Sequence, residues 1–113
     1  EIYRITEEFA EIVESLAIAH NWEGDSRVIL FVKLSDGARL SESLISQIKL
    51  ALKQKASPRH VPALIMQAPD FPRTKSNKLV EIAVANAINK VAITNLGALA
   101  NPESLDWFIN LNL

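Results

Sequence analysis

The run Val28-Ile29-Leu30-Phe31-Val32 constrains the fold more than any other stretch of this chain. It is continuously apolar and rich in β-branched side chains. A strand with one wet face alternates apolar and polar residues. A run without polar residues describes a strand covered on both faces. Helices can supply that cover, and the flanking sequence offers them.

Ile2, Ile5, Phe9, Ile12, Val13 and Leu16 recur at helical spacing, with Glu7, Glu8 and Glu11 on the wet side. They predict a first helix over about Glu1–Val13. Glu14–His20 alternates and predicts a strand with Leu16 and Ile18 on one face. Asn21–Ser26, which contains Gly24-Asp25, reads as a turn, and Asp36-Gly37 ends the apolar strand. Ser41 is a good N-cap for a second helix. Its stripe is Leu44, Ile45, Ile48 and Leu52. Lys49, Lys53 and Lys55 fall in its second half, where the helix dipole favours cations. Ser57-Pro58 stops it. Ala63–Ala68 predicts a third strand, and Pro69 and Pro72 exclude regular structure between them. Leu79–Ile88 predicts a third helix and Val91–Thr94 a weak extended segment. Asn101-Pro102-Glu103 opens a last helix, with Asn101 as N-cap and Pro102 at its first position. Leu105, Phe108 and Ile109 form its apolar face. The order implies an α+β fold, a small three-stranded, mostly antiparallel sheet flanked by helices.

A chain of 113 residues is one domain with a modest core. Its formal net charge of −1 argues against non-specific binding to nucleic acid or membrane, which needs a basic surplus. No cysteine is present, which fits a reducing compartment such as the cytoplasm. No signal peptide is visible, and the apolar runs are too short to span a membrane. His20 and His60 are isolated, so no metal cluster is expected. Three scattered glycines cannot build a phosphate loop. The chain opens without Met and directly in a helical pattern, which reads as a piece of something longer.

The chemistry concentrates at Pro72-Arg73-Thr74-Lys75-Ser76-Asn77-Lys78. Three cations crowd a turn that the periodicity places at a helix start, where the partial charge is already positive. An anion such as a phosphate would reconcile them. Arg73, Thr74 and Ser76 can shape the turn or touch that phosphate. The commoner arrangement has Ser76 or Asn77 capping the third helix, and it is favoured here. A lysine beside a turn is most often a solvated surface charge.

The same segment resembles the proline-rich turn ending Ser-Gly-Lys near the C-terminus of adenylate-forming enzymes. Ser57-Pro58-Arg59-His60-Val61-Pro62, Leu79-Val80-Glu81-Ile82-Ala83-Val84, Ala98-Leu99-Ala100-Asn101-Pro102-Glu103 and Glu1-Ile2-Tyr3-Arg4 resemble acetoacetyl-CoA synthetases in particular. The resemblance implies a C-terminal lid domain spanning 1–113, whose large N-terminal domain, absent here, binds ATP, Mg²⁺ and the acid. It implies two half-reactions, acyl-adenylate formation and then attack by CoA, separated by a lid rotation. Lys78 matches the catalytic lysine of the first. Lys49 and Lys53, one turn apart on the second helix, can meet the phosphates of CoA, although a solvated helix face is the commoner reading.

Asn77 departs from the family's Gly, which puts the turn and any acylation of the neighbouring lysine in question. Asn is the best ordinary substitute for a positive φ. Arg59 is read as structural, His60 as a hydrogen-bonded loop residue, and Trp22, Trp107 and Phe108 as packing or surface anchors. The family's hinge aspartate and the glycine-bearing loop after it are expected to precede Glu1, so this chain alone is expected to be inactive. Its implied partners are its own N-terminal domain, ATP, CoA and a small acid. The rival readings are a free-standing anion- or partner-binding module using turn 73–78, and a structural interaction domain.

Overall fold

The computed structural model describes residues 2–113. The elements, in order, are α1 (Ile2–Thr6), β1 (Ile12–Trp22), β2 (Asp25–Leu34), α2 (Glu42–Lys55), β3 (Leu64–Gln67), α3 (Glu81–Ile88) and α4 (Leu105–Ile109). Short 3₁₀ turns occur at Pro58–His60, Leu96–Ala98 and Pro102–Ser104. The fold is α+β. Its sheet order is β1-β2-β3, with β1 antiparallel and β3 parallel to the central β2. The parallel step needs a crossover, and α2 supplies it.

Ile29, Leu30, Phe31 and Val32 are all fully buried, as an unbroken apolar run requires, while Val28 at the start of the run is exposed near the hairpin end. Leu30, Val32 and Leu34 face one layer, where Leu44, Ile48 and Leu52 of α2 join Ile5 of α1. Ile29 and Phe31 face the other, with Val84 and Ile88 of α3, Leu105 and Phe108 of α4, and Phe71. Phe108 meets Phe31 edge-on at 5.1 Å and stacks on Phe71 at 6.0 Å. Each contact of this kind adds about 0.5–1.5 kcal/mol to simple burial.

The β1–β2 hairpin closes tightly. Glu23 and Gly24 both take positive φ, the condition for a two-residue loop that matches strand twist. The predicted turn over 21–26 is therefore shorter, with pairing running to Trp22↔Asp25. At the other end of β1 the register shifts between Ile12 and Glu14. Ile12 and Leu16 share parity, yet they line opposite layers. Val13 is the extra residue of this bulge and is exposed. The bulge puts Glu14 on the Leu16 face.

Two local expectations fail. The first helix stops at Thr6 instead of Val13, and Ile12 already belongs to β1. Pairing with β2 along the whole hairpin overrides the helical spacing of Ile12, Val13 and Leu16. Val91–Thr94, expected as a weak extended segment outside the three strands, carries no regular element. Edge strand β1 has its free side taken by side chains. Asn89 accepts from the Asn21 N–H at 2.8 Å and donates to the Ala19 carbonyl at 3.1 Å, while Tyr3 Oη accepts from the Ala17 N–H at 3.0 Å. The third helix begins at Glu81, two residues later than predicted, because Leu79 pairs with Arg73 across a short bridge. Among the described residues no helix is long and apolar enough to cross a membrane.

Candidate functional site

Phe71 anchors the candidate turn in the core, fully buried, and Pro72 beside it is buried too. The Val80 N–H returns to the Pro72 carbonyl at 3.0 Å. Inside that bracket Thr74 does most of the closing. Its N–H donates to the Lys78 carbonyl at 2.8 Å, and its carbonyl accepts from Asn77 N–H at 2.8 Å. Its Oγ1 accepts from Lys78 N–H at 3.1 Å and meets Ser76 Oγ at 3.0 Å. Thr74 and Ser76 thus take part in the turn's own hydrogen bonds. Asn77 has φ +72°, the left-handed region that Asn tolerates better than other non-glycine residues.

The capping role favoured for Ser76 or Asn77 is overturned. Helix α3 is flanked at its start by Val80, with no side-chain cap, and its first turn carries Glu81. The cations therefore do not sit at a helix N-terminus, and the electrostatic puzzle they posed dissolves. The turn is a hairpin-like excursion that closes before the helix begins.

Arg73 is not a free cation. Its two terminal nitrogens donate to both oxygens of Glu14, at 2.7 and 3.2 Å, in the bidentate geometry that suits guanidinium and carboxylate. It also donates to Asp70 at 3.5 Å and to Asn77 Oδ1 at 3.0 Å. The Glu14 hydrogen bond holds its pKa above the ordinary arginine value even against burial, with further help from the charges of Glu14 and Asp70. Burial pushes the Asp70 carboxyl up. The Phe71 N–H, Lys33 and Arg73 outweigh it and leave the group below the usual carboxylate range.

Asn101 completes the frame. Its Oδ1 accepts from Arg73 N–H at 2.9 Å, while its Nδ2 donates to the Phe71 carbonyl at 2.9 Å and to Asp70 at 3.3 Å. It occupies the N-cap position of the 3₁₀ turn Pro102–Ser104, with Pro102 at the predicted first position, but its side chain makes no cap bond. The expected cap is a clasp between two loops.

Lys75 and Lys78 are exposed, and neither has a side-chain partner among the described residues. The turn therefore presents Lys78 on a backbone tied at both N–H and carbonyl, with its ammonium in solvent. A lone ammonium in water stabilises little. Its effect on a developing anion grows when a second surface excludes water around it.

The other predicted residues lie elsewhere. Lys49 and Lys53 are on α2, across the sheet from α3 and α4, with Lys53 exposed and Lys49 half-buried. His60 is a loop residue bonded to Ser57 Oγ at 2.8 Å, and Arg59 is exposed in the same 3₁₀ turn. His20 is buried beside Arg27, whose guanidinium also stacks over Trp22 at 4.2 Å. Phe108 is core and Trp107 packs against it edge-on.

Glu14, Lys33 and Asp70, which hold Arg73 and its surroundings, carry no sequence signal of that role. The Arg73–Glu14 contact spans 59 residues, and no local pattern reports such a separation.

No family model matches the chain. Curated relatives do. It is 49% identical over 111 residues to the acetoacetyl-coenzyme A synthetase of Rhizobium meliloti, covering 98% of this chain and 17% of that protein. It is 45% identical over 112 residues to the acetoacetyl-CoA synthetase of Xenopus tropicalis, with the same coverages of 98% and 17%. The solved structure of acetoacetyl-CoA synthetase from Streptomyces lividans superposes with a TM-score of 0.84 at 32% identity, over 96% of this chain and 17% of that one. The chain thus spans about a sixth of the length of the proteins it matches. With nearly its whole length matched in sequence and in fold, the chain belongs to the acetoacetyl-CoA synthetase family, as its C-terminal domain.

Proposed function

We propose that this chain is the mobile lid of an AMP-forming acid–CoA ligase, in which Lys78 supplies the cation of the adenylation step. In the overall reaction acetoacetate, ATP and CoA give acetoacetyl-CoA, AMP and pyrophosphate. First a carboxylate oxygen attacks the α-phosphorus and pyrophosphate leaves. Then the CoA sulfur attacks the acyl carbon and AMP leaves. One observation supports the lysine's role above others: Lys78 is exposed on a turn whose backbone is fixed on both sides. Nucleotidyl transfer needs positioning and charge stabilisation more than covalent help. A compact ammonium on a flexible stem can reach across a closing interface to the α-phosphate and the incoming carboxylate.

Among the described residues no group of three His, Cys, Asp or Glu side chains is placed to hold a metal ion. Nucleotide, Mg²⁺ and acid are assigned to the large domain. Helix α2 lies on the opposite layer from α3, so a lid rotation can exchange the face carrying Lys78 for the one carrying Lys49 and Lys53. We assign those two to the phosphates of CoA in the second half-reaction. The isolated domain is expected to lack synthetase activity, because ATP and the acid are assigned to the large domain.

The anion-module reading is weaker than the sequence suggested. Arg73, its strongest phosphate ligand, already spends its guanidinium on Glu14, Asp70 and Asn77. The deciding experiment compares the full-length enzyme with its Lys78→Ala variant. Acetoacetate-dependent pyrophosphate release should collapse while thioester formation from supplied acyl-adenylate persists. Equal loss of both half-reactions would remove Lys78 from the adenylation step.

A further inference from the structure

We propose that Asn77 is a positioning residue for Lys78, its side-chain amide clamped by Arg73 so that the turn holds one backbone conformation. The inference rests on the adenylation role of Lys78 and adds to it a cause for that lysine's fixed approach.

Asn77 lies between the two hydrogen bonds that frame the lysine. Its own N–H donates to the Thr74 carbonyl, and the next N–H, that of Lys78, donates to Thr74 Oγ1. The torsions of Asn77 thus set the direction in which the Lys78 side chain leaves the turn. At φ +72° the backbone sits in a region that glycine enters freely and leaves as freely. An asparagine there is narrower in conformation, and in this protein it is also tied. Asn77 Oδ1 accepts from Arg73 Nη1 at 3.0 Å.

The tie has value only if Arg73 is itself held from several sides, and it is. Its side chain is 18% exposed and grips Glu14 of β1 through two bonds, with Asp70 on the same nitrogen as the shorter one. Its backbone is pinned as well, N–H to Asn101 Oδ1 and carbonyl to Ala100 N–H. A continuous strut therefore runs from β1 through Glu14 and Arg73 to the tip of the turn at Asn77. Glycine at this position would keep the fold of the turn and lose the strut's last link. Arg73 acts on this reading through Asn77, and not by touching phosphate.

The test uses full-length enzyme carrying Asn77→Gly, Asn77→Asp or Lys78→Ala, with both half-reactions and thermal stability measured for each. Asn77→Gly should lower kcat for pyrophosphate release about tenfold, the scale of one hydrogen bond to a charged group. KM for ATP, thioester formation from supplied adenylate and the melting temperature should stay close to wild type. Asn77→Asp keeps an acceptor for Arg73 and tolerates positive φ, so it should recover most of the lost rate. A wild-type rate in Asn77→Gly, with Lys78→Ala inactive in adenylation, would overturn the clamp and leave the lysine's role standing. Undiminished pyrophosphate release in Lys78→Ala would overturn both. Equal loss of the two half-reactions in Asn77→Gly, with a lowered melting temperature, would reduce Asn77 to a structural residue.

Discussion

Helix α2 and the turn at residues 72–78 both show lysines to solvent, and they hold them by opposite means. The helix is local in every respect. Ser41 Oγ accepts from the Leu44 N–H at 3.1 Å, Glu42 lies in the first turn, and Lys53 and Lys55 lie in the last. Its backbone would be much the same with any polar side chains on its wet face. The turn has no repeating hydrogen bonds. It is held by a buried phenylalanine, a threonine that makes four hydrogen bonds, and side chains from β1 and from the loop before α4. A lysine on the helix is placed by periodicity, whereas a lysine on the turn is placed by tertiary contacts. Only the second kind of placement can be tuned to one reacting atom, because moving it requires moving specific partners.

The largest effect that would sharpen this contrast is loss of Lys78. Lys78→Ala should lower adenylation on the order of 10²–10³-fold, the scale for one preorganised charge contact, in assays of pyrophosphate release. A loss below about fivefold would make the turn no more special than the helix. Next comes Glu14→Gln, which weakens the grip on a partly buried Arg73. It should cost about 1–2 kcal/mol locally, read as faster hydrogen exchange at the Val80 and Ala100 amides with α2 amides unchanged. Uniform acceleration in both regions would break the comparison. Replacing Lys49 and Lys53 together by glutamine should raise KM for CoA about fivefold, since exposed charge contacts contribute about 1 kcal/mol. Pyrophosphate release should not change, and an unaltered KM would return both lysines to the solvated face.

The smallest expected effect concerns pH. The folded-state pKa of Asp70 lies below its ordinary value of 3.8, through Phe71 N–H, Lys33 and Arg73 acting against burial. A depressed carboxyl binds protons more readily in the unfolded chain. Its contribution is therefore complete above the ordinary value and fades as pH falls from about 4 through the lower folded value. Hydrogen exchange at Ala100 and Val80 should accelerate over that range before exchange within α2 does. Simultaneous loss in both regions would mean that Asp70 is no part of the frame.

Much of the fold was legible because it is written in short-range patterns. The doubly buried strand, the capped α2 with its Leu44, Ile48 and Leu52 stripe, and the break at Ser57-Pro58 all follow from spacing, caps and proline geometry. The errors share a cause. Residues 7–13 fit a helical period, but Ile12 pairs with Leu34 of a neighbouring strand, and pairing of that strength outweighs a weak local preference. Leu79 fits the next helix, but it completes a bridge to Arg73.

The candidate site divides along the same line. The motif at 72–78, the lysine at its end and the need for positive φ at Asn77 stood in the sequence, since each depends on residue type and immediate neighbours. That Arg73 is paired with Glu14, Asp70 and Asn77, that Asn101 bonds across to Arg73 and Phe71 without a side-chain cap bond, and that Glu14 reaches the turn through a bulge at Val13 were decided only by the tertiary structure. Residue chemistry says what a side chain is able to bind. Which partner it meets depends on how strands and loops far apart in the chain come together, and no local pattern carries that information.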